Sequence, residues 1–400
     1  MRTIIGPSSR STIICLSPYL VAKSSSWTAA AFFASSDHHP NPHHFERSRP
    51  LRHPSPQYFF WSKKNKSTMT QDTVTVDDTT SLESQMADLD LTKIKRFANK
   101  GADALFGYIE KCQVESSPTA DFGNFLDAGT GSHSLRWMAS VFHRKRLLAD
   151  TDNGDDAAPM VSMKSFTAIT ADETMRKRVV EEAESLGIAS KGDVVIGNWS
   201  NGVERDGNFE YGKGKLLLEG KEYDTILVDY LVGAIDGFAP YFQDLIFDRL
   251  VPHLAPGGRM YIIGLQPIPD RVEGDANVMC KITKIRDACI LLANHRCYRE
   301  YPVDWIQRHV RRAGLDIVET RQYPIRYDHG TMLKQINVGR SKLKLFPTRG
   351  IAEEMGVILD RLEKESLEVT KRQASGRVTL GFDYVVVAEK SKNADVAQDV

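Results

Sequence analysis

The sequence predicts a doubly wound α/β protein built on a parallel sheet. Three observations carry that expectation. Short apolar runs alternate with amphipathic helical patterns along the chain. The run Tyr223 to Tyr230 (YDTILVDY) is apolar almost throughout, as a strand covered on both faces must be. An earlier apolar run ends in Asp127-Ala128-Gly129-Thr130-Gly131 and passes directly into a helical pattern, which reads as strand, glycine loop, helix.

Taken in order, Leu91, Ile94, Phe97 and Ala98, then Leu105 and Ile109, recur at helical spacing and predict one amphipathic helix or two between Asp90 and Cys112. Phe122 to Asp127 is the first strand, followed by a helix on Leu135, Met138, Ala139 and Phe142. Ser165 to Thr170 is the second strand, and Met175, Val179, Ala183 and Leu186 mark a helix that stops at Gly187. Asp193 to Gly197 and Tyr223 to Tyr230 are the third and fourth strands. A helix through Leu245, Ile246 and Leu250 leads to the turn Pro256-Gly257-Gly258 and to the fifth strand, Arg259 to Leu265. Two further helical patterns, on Ile282, Ile285, Cys289 and Leu292 and on Val303, Ile306 and Val310, exceed what a simple crossover needs. Leu315 to Tyr323 is the next strand, then a helix on Ile351, Met355, Ile358, Leu359 and Leu362, and a last strand from Phe382 to Glu389 (FDYVVVAE).

Composition narrows the function classes. Lys and Arg number 52 and so do Asp and Glu, so the whole chain offers no field that would draw it to nucleic acid or an anionic membrane. No apolar stretch is long enough to span a bilayer, and a small-molecule substrate is the default partner. Oligomeric state is not legible in the sequence. The five cysteines, Cys15, Cys112, Cys280, Cys289 and Cys297, are odd in number and lack C-x-x-C spacing, which fits buried thiols better than a disulfide framework or a metal site, and no metal ligand is assigned. Residues 1–80 read as a leader unable to bury a core. Its first seventy positions are rich in Arg, Lys, Ser, His and Pro, with only Asp37 and Glu46 as acids. That composition is of the kind found in a cleavable plastid or mitochondrial presequence; if translation starts at Met69 instead, the protein is cytoplasmic. The fold is expected over 85–392, with an Asp-rich surface insertion at 150–159 and a frayed tail at 393–400.

The glycine loop alone serves a dinucleotide as well as any other nucleoside ligand. Against the dinucleotide, Ser134 replaces the third glycine of that fingerprint, no phosphate-loop lysine follows, and the second strand lies far beyond the spacing expected for a ribose-binding acid. FLDAGTGSHS resembles the first motif of class I S-adenosylmethionine-dependent methyltransferases. YDTILVDY resembles that family's fourth-strand motif, and LVPHLAPGGRMYIIG its helix-PGG-strand motif. With FDYVVVAE the resemblance covers Phe122 to Glu389. It implies a seven-stranded Rossmann-like methyltransferase sheet with helices on both faces, here with a helical insertion after strand five at about 270–313, and S-adenosyl-L-methionine as cofactor.

Carried over residue by residue, the resemblance implies that Asp127, Gly129, Thr130 and Gly131 line the methionine and ribose portion of the cofactor. The family's ribose-binding acid falls on Thr170, with Asp172 two residues on; Thr170 to Glu173 also fits a helix capping box. Asn198 and Trp199 occupy the adenine-edge position, and Trp199 fits ordinary core equally well. Asp229 and Tyr230 end strand four beside the expected methyl-transfer site, since ligands of open α/β sheets sit at the carboxyl ends of strands. His253 is the candidate base, with His295 and His309 behind it.

Two other readings stay open. YDTILVDYLVGAIDGFAPYFQD also resembles the polyamine synthases, which carry a second aspartate three residues after the strand-four acid; that position here is Val232. The other is an inert Rossmann-like binding module. Arg286, Arg296, Arg299 and Arg326, set among aromatic residues in and after the insertion, point either to a small anionic acceptor or to a solvated helix face.

Overall fold

The computed structural model describes residues 91–150, 156–202 and 215–392. Its strands are β1 (Asn124–Asp127), β2 (Ser165–Thr170), β3 (Gly192–Ile196), β4 (Tyr223–Asp229), β5 (Leu254–Leu265), β6 (Leu315–Tyr327) and β7 (Val378–Lys390). They form one seven-stranded sheet in the order β3-β2-β1-β4-β5-β7-β6. Strand order turns back between the parallel neighbours β1 and β4, the switch point at which such folds bind ligands.

The doubly wound seven-stranded sheet is as the sequence predicts, with one correction to an all-parallel arrangement. Strand β7 runs antiparallel to both neighbours, pairing Ile263 with Val385 on one side and Thr320 with Val386 on the other. The reversal puts the start of β7 at the end of the sheet where β4 and β5 finish.

Side chains alternate across the sheet as the two-residue period of strands requires. Phe125, Phe166, Leu227, Tyr261, Ile263, Val385 and Val387 face α1 (Ala104–Ser116), α2 (Ser132–Phe142), α3 (Arg144–Ala149) and α4 (Glu173–Ser185). Leu126, Ile226, Val228, Met260, Ile262, Val386 and Ala388 face the short α5 (Leu231–Ala234), α6 (Ile246–Leu250) and α8 (Val303–Arg312). The YDTILVDY run is apolar because both of these layers cover it.

A third cluster lies beyond the ends of β5 and β6. Helices α7 (Asn277–Leu292), α9 (His329–Lys342) and α10 (Arg349–Arg372) pack on one another through Met279, Ile282, Met332, Ile336, Leu359 and Leu362. Ile325, Tyr327, Val378 and Leu380, on extensions of β6 and β7 longer than the sequence indicates, join them. The insertion expected at about 270–313 therefore divides. Only α7 leaves the sheet, whereas α8 lays Ile306 and Val310 on it as an ordinary crossover helix. Helix α9 carries no clear apolar period and escaped the sequence reading.

Two smaller corrections concern the entrance to the fold. Leu91 to Ala98 forms 3₁₀ turns with Ile94, Phe97 and Ala98 buried, and α1 begins only at Ala104, capped by Asp103. The break falls at Gly101, whose φ of +73° a helix cannot accommodate. The insertion at 150–159 is not all surface, because Ala158 is buried and its N–H donates to the carbonyl of Ala98 at 2.8 Å. The leader 1–80, with Cys15, the core of the Asp-rich insertion at 151–155 and the tail 393–400 lie outside the described residues. No helix among the described residues is long and apolar enough to cross a membrane.

Candidate active site

The glycine loop is held from three sides. The N–H of Ala128 donates to Leu227 at 2.9 Å, and that of Thr130 to Ile169 at 2.8 Å, tying the loop to β4 and β2. Ser134, where a dinucleotide fingerprint has glycine, is buried and closes the loop. Its Oγ accepts from Gly131 N–H at 3.2 Å and donates to the Gly131 carbonyl at 3.1 Å. Asp127 ends β1 with its carboxyl fully buried. Oδ1 accepts from Gly129 N–H at 3.4 Å, while Oδ2 has no hydrogen-bond partner among the described residues. Burial pushes its pKa up to about 6, opposed in part by the polar groups of Ser134, Gly129 and Thr130 close to it. A buried acid without a donor for one oxygen marks a place where a ligand is expected. A Cβ on Gly129 would stand 2.8 Å from Leu231, so this glycine makes room for α5.

At the end of β4 the chain turns sharply. Tyr230 takes a left-handed φ of +49°, uncommon for a bulky residue, and is fixed there by two bonds. Its N–H donates to Ile263 at 3.0 Å and its hydroxyl to Oδ1 of Asp383 at 2.9 Å. Asp229 is only partly exposed, and its pKa is raised well above the usual carboxylate range by burial first and then by Asp127, Asp103 and Asp383. Asp383 pairs with Leu265 at the end of β5. Glu300, in the loop before α8, brings Oε2 to 2.8 Å from where a Gly233 Cβ would stand, and burial pushes its pKa up to about 7 despite the nearby Arg286.

A second group fixes the approach to the loop. Asp103 caps α1 through the N–H groups of Leu105 and Phe106, both at 3.1 Å. Its other oxygen meets Nε2 of His133 at 2.9 Å, and Nδ1 of His133 meets Nη2 of Arg96 at 3.0 Å. A guanidinium can only donate, so Nδ1 accepts and the proton sits on Nε2, directed at Asp103. Burial raises the Asp103 pKa, but the hydrogen bond from His133, the Phe106 N–H and the charge of Arg96 outweigh it, and the net shift is downward.

The expected site residues separate in the fold. Asp127, Gly129, Gly131, Asp229 and Tyr230 meet at the carboxyl edge. Thr130 is buried, its N–H spent on β2 and its hydroxyl on the Asp127 carbonyl at 3.4 Å. Thr170 is buried and its hydroxyl donates to Val195 at 3.4 Å. Asp172 is exposed and caps α4 alone, accepting from Met175 at 2.9 Å, in place of a capping box begun at Thr170. Asn198 donates to the Phe238 carbonyl at 3.4 Å and accepts from Ser200 N–H at 3.1 Å.

Trp199 is core: 3% exposed, it donates Nε1–H to the Ala128 carbonyl at 2.7 Å and so steadies the glycine loop from beneath. His253 precedes β5 at the amino end of the sheet, donating Nδ1–H to the Lys221 carbonyl at 2.9 Å. A strand's length separates it from Asp229, and the catalytic expectation is corrected. His295 accepts from Lys342 at 3.1 Å, and His309 stacks on Trp305. Arg286 is occupied by Asp287 and Gln335, Arg296 pairs with Asp236, and Arg299 and Arg326 are exposed. Val232 is buried in apolar surroundings, where a polyamine synthase would need a carboxylate.

Sequence reasoning missed Asp103, Glu300 and Asp383. Asp103 carried a signal, an N-cap residue just before a helical apolar pattern. Asp383 and Glu300 carried none, because only the reversed β7 and the course of the 293–302 loop bring them to β4.

No protein-family model matches the chain, and no curated protein matches it. Among solved structures, it is similar to a putative sarcosine dimethylglycine methyltransferase from Galdieria sulphuraria, at 13% identity over 73% of this chain and 87% of that one, TM-score 0.37. A putative methyltransferase from Bacillus halodurans is similar at 12% identity over 70% and 98%, TM-score 0.39. The YcgJ protein from Bacillus subtilis is similar at 11% identity over 72% and 98%, TM-score 0.41. Likeness at this level assigns neither an activity nor an acceptor.

Proposed function

We propose that this chain transfers a methyl group from S-adenosyl-L-methionine to a small-molecule acceptor. One observation carries the proposal: the buried and unpartnered Oδ2 of Asp127 lies below a glycine loop at the switch point of the sheet, with Asp229 beside it. An oxygen so placed needs a donor, and a nucleoside ligand with hydroxyl and ammonium groups supplies one. The DAGTG resemblance and the doubly wound sheet point to the same ligand.

When bound, the sulfonium supplies an activated methyl carbon. The chain's own contribution is alignment, since an in-line displacement gains most from fixed geometry. Asp127 and the backbone of Gly129 and Gly131 hold the donor. Tyr230, locked in its turn by Ile263 and Asp383, and Asp229 next to it border the place where donor and acceptor meet. Helices α7, α9 and α10 stand beyond that edge and form the proposed substrate cap.

Calorimetric titration of the full chain with the cofactor and with S-adenosylhomocysteine tests the reading. Binding of both, lost in Asp127→Ala, is the expected result. Absence of binding by the wild-type chain overturns it and leaves the inert binding module. Labelled cofactor with fractionated metabolites then identifies the methylated product.

A further inference from the structure

We infer that His133 is a positioning residue: it couples the glycine loop to segment 94–106, so that a bound cofactor holds the segment closed and the closed segment strengthens cofactor binding. This rests on the methyltransferase reading above. His133 stands in the turn by which the loop becomes α2, next to Ser134, whose hydroxyl closes on Gly131. A displacement of His133 is therefore a displacement of the backbone proposed to hold the donor.

Its ring joins a cation to an anion. Nε2 donates to Oδ2 of Asp103 at 2.9 Å and Nδ1 accepts from Nη2 of Arg96 at 3.0 Å, partners that lie 30 and 37 positions earlier in the chain. The same ring meets Phe97 and Phe106 with centroids 5.7 and 5.2 Å away, and the Arg96 guanidinium lies over the Phe97 ring at 4.5 Å. Arg96, Phe97, Asp103 and Phe106 thus converge on one side chain of α2. His133 and Asp103 are 14% and 8% exposed, so their hydrogen bond is far less screened than a surface pair.

The two halves of the segment are held differently. Helix α1 is fixed to α2 away from the loop, where Phe106 stacks on Trp137 at 4.7 Å and Glu110 accepts from Trp137 and Arg144. The chain before it is in 3₁₀ turns and separated from α1 at Gly101. Its outer side is tied to 156–158, with Lys100 N–H donating to Asp156 and Ala158 N–H to Ala98, both at 2.8 Å. On the side of the glycine loop its polar attachments are Arg96 and Asp103, and both reach His133. Short 3₁₀ turns open locally at small cost, so these bonds decide how the segment lies against the loop. Asp103 is also near enough to Asp229 to contribute to that residue's raised pKa, after burial and Asp127.

A donor that orders the loop orders His133, and the two bonds carry that order into 94–106. The coupling is reciprocal, because a segment already in place spares the donor the cost of ordering it. Removing the bonds should therefore lower the segment's response to ligand and the affinity for ligand together.

The test measures hydrogen exchange of the full chain with and without S-adenosylhomocysteine, and calorimetric affinity for it, in wild type, His133→Gln and His133→Leu. Glutamine keeps a donor where Nε2 stands and so keeps the bond to Asp103, whereas leucine keeps bulk and neither bond. In wild type the ligand is expected to slow amide exchange over 94–106 roughly tenfold. His133→Leu should lose that protection and bind roughly tenfold more weakly, and His133→Gln should stay within about threefold of wild type in both. A histidine with a structural role alone would lower the melting temperature and leave the affinity of the folded protein unchanged. That result, or His133→Gln falling as far as His133→Leu, overturns the inference. So does exchange over 94–106 in wild type that is indifferent to bound ligand, a result that stands whether or not His133→Leu folds. Failure of wild type to bind S-adenosylhomocysteine overturns the methyltransferase reading, and the inference with it.

Discussion

The hydroxyl of Tyr230 donates to Oδ1 of Asp383 at 2.9 Å, joining the end of β4 to the start of β7 across 153 positions of sequence. The bond does two things. It holds a bulky residue in a left-handed turn, and it fixes one carboxylate beside the proposed transfer site.

Tyr230→Phe removes the donor and leaves Asp383 short of a partner, at about 1–3 kcal/mol. The turn loses one of its two restraints. Methyl transfer to the identified acceptor is expected to fall roughly tenfold to a hundredfold, while S-adenosylhomocysteine affinity changes little. Equal activity in the variant would show that the bond has no part in positioning.

Asp127→Asn separates stability from binding. The folded-state pKa, about 6, lies above the ordinary 3.8, so Asp127 contributes stability that is fully present below pH 3.8 and is lost as pH rises through about 6. At neutral pH the native carboxylate is therefore a burden. The asparagine variant should unfold at higher denaturant concentration than wild type near neutral pH, by up to about 2 kcal/mol, and the difference should vanish below about pH 4. Binding of S-adenosylhomocysteine should fall at least roughly tenfold. A variant less stable than wild type at neutral pH would show that Asp127 is satisfied within the fold.

Trp199→Phe loses the bond from Nε1 to the Ala128 carbonyl and part of a buried ring. The expected cost is about 1–3 kcal/mol in unfolding free energy, read from denaturant melts. An adenine-contacting indole would show the reverse pattern, with cofactor affinity falling and stability unchanged.

Glu110 and Arg144 form a buried pair under the helical layer, with Arg144 Nη1 donating to Oε2 at 3.0 Å and Trp137 Nε1 to Oε1 at 2.9 Å. Glu110→Gln leaves the guanidinium buried without its counter-charge. Breaking such a pair costs about 3–5 kcal/mol, so thermal unfolding of this variant should shift down by several degrees at least. A melting temperature equal to wild type would show that water reaches the pair.

The sequence by itself determined the alternation of strands and helices, the glycine loop between β1 and α2, and the acid at the end of β4. These are local patterns: an apolar period of two or 3.6 residues, or a glycine next to a strand end, reports backbone geometry within a few positions. Only the tertiary structure decided which of the marked residues share a site. Trp199 and Thr130 carry chemistry in principle, but packing turns both inward, and strand direction leaves His253 at the opposite end of the sheet. Asp383 and Glu300 sit in unremarkable stretches and reach Tyr230 and Gly233 because β7 runs backward and the loop before α8 crosses the strand ends. Contacts between positions so far apart, 153 residues for Tyr230 and Asp383, follow from topology, and a single sequence writes no local period for them.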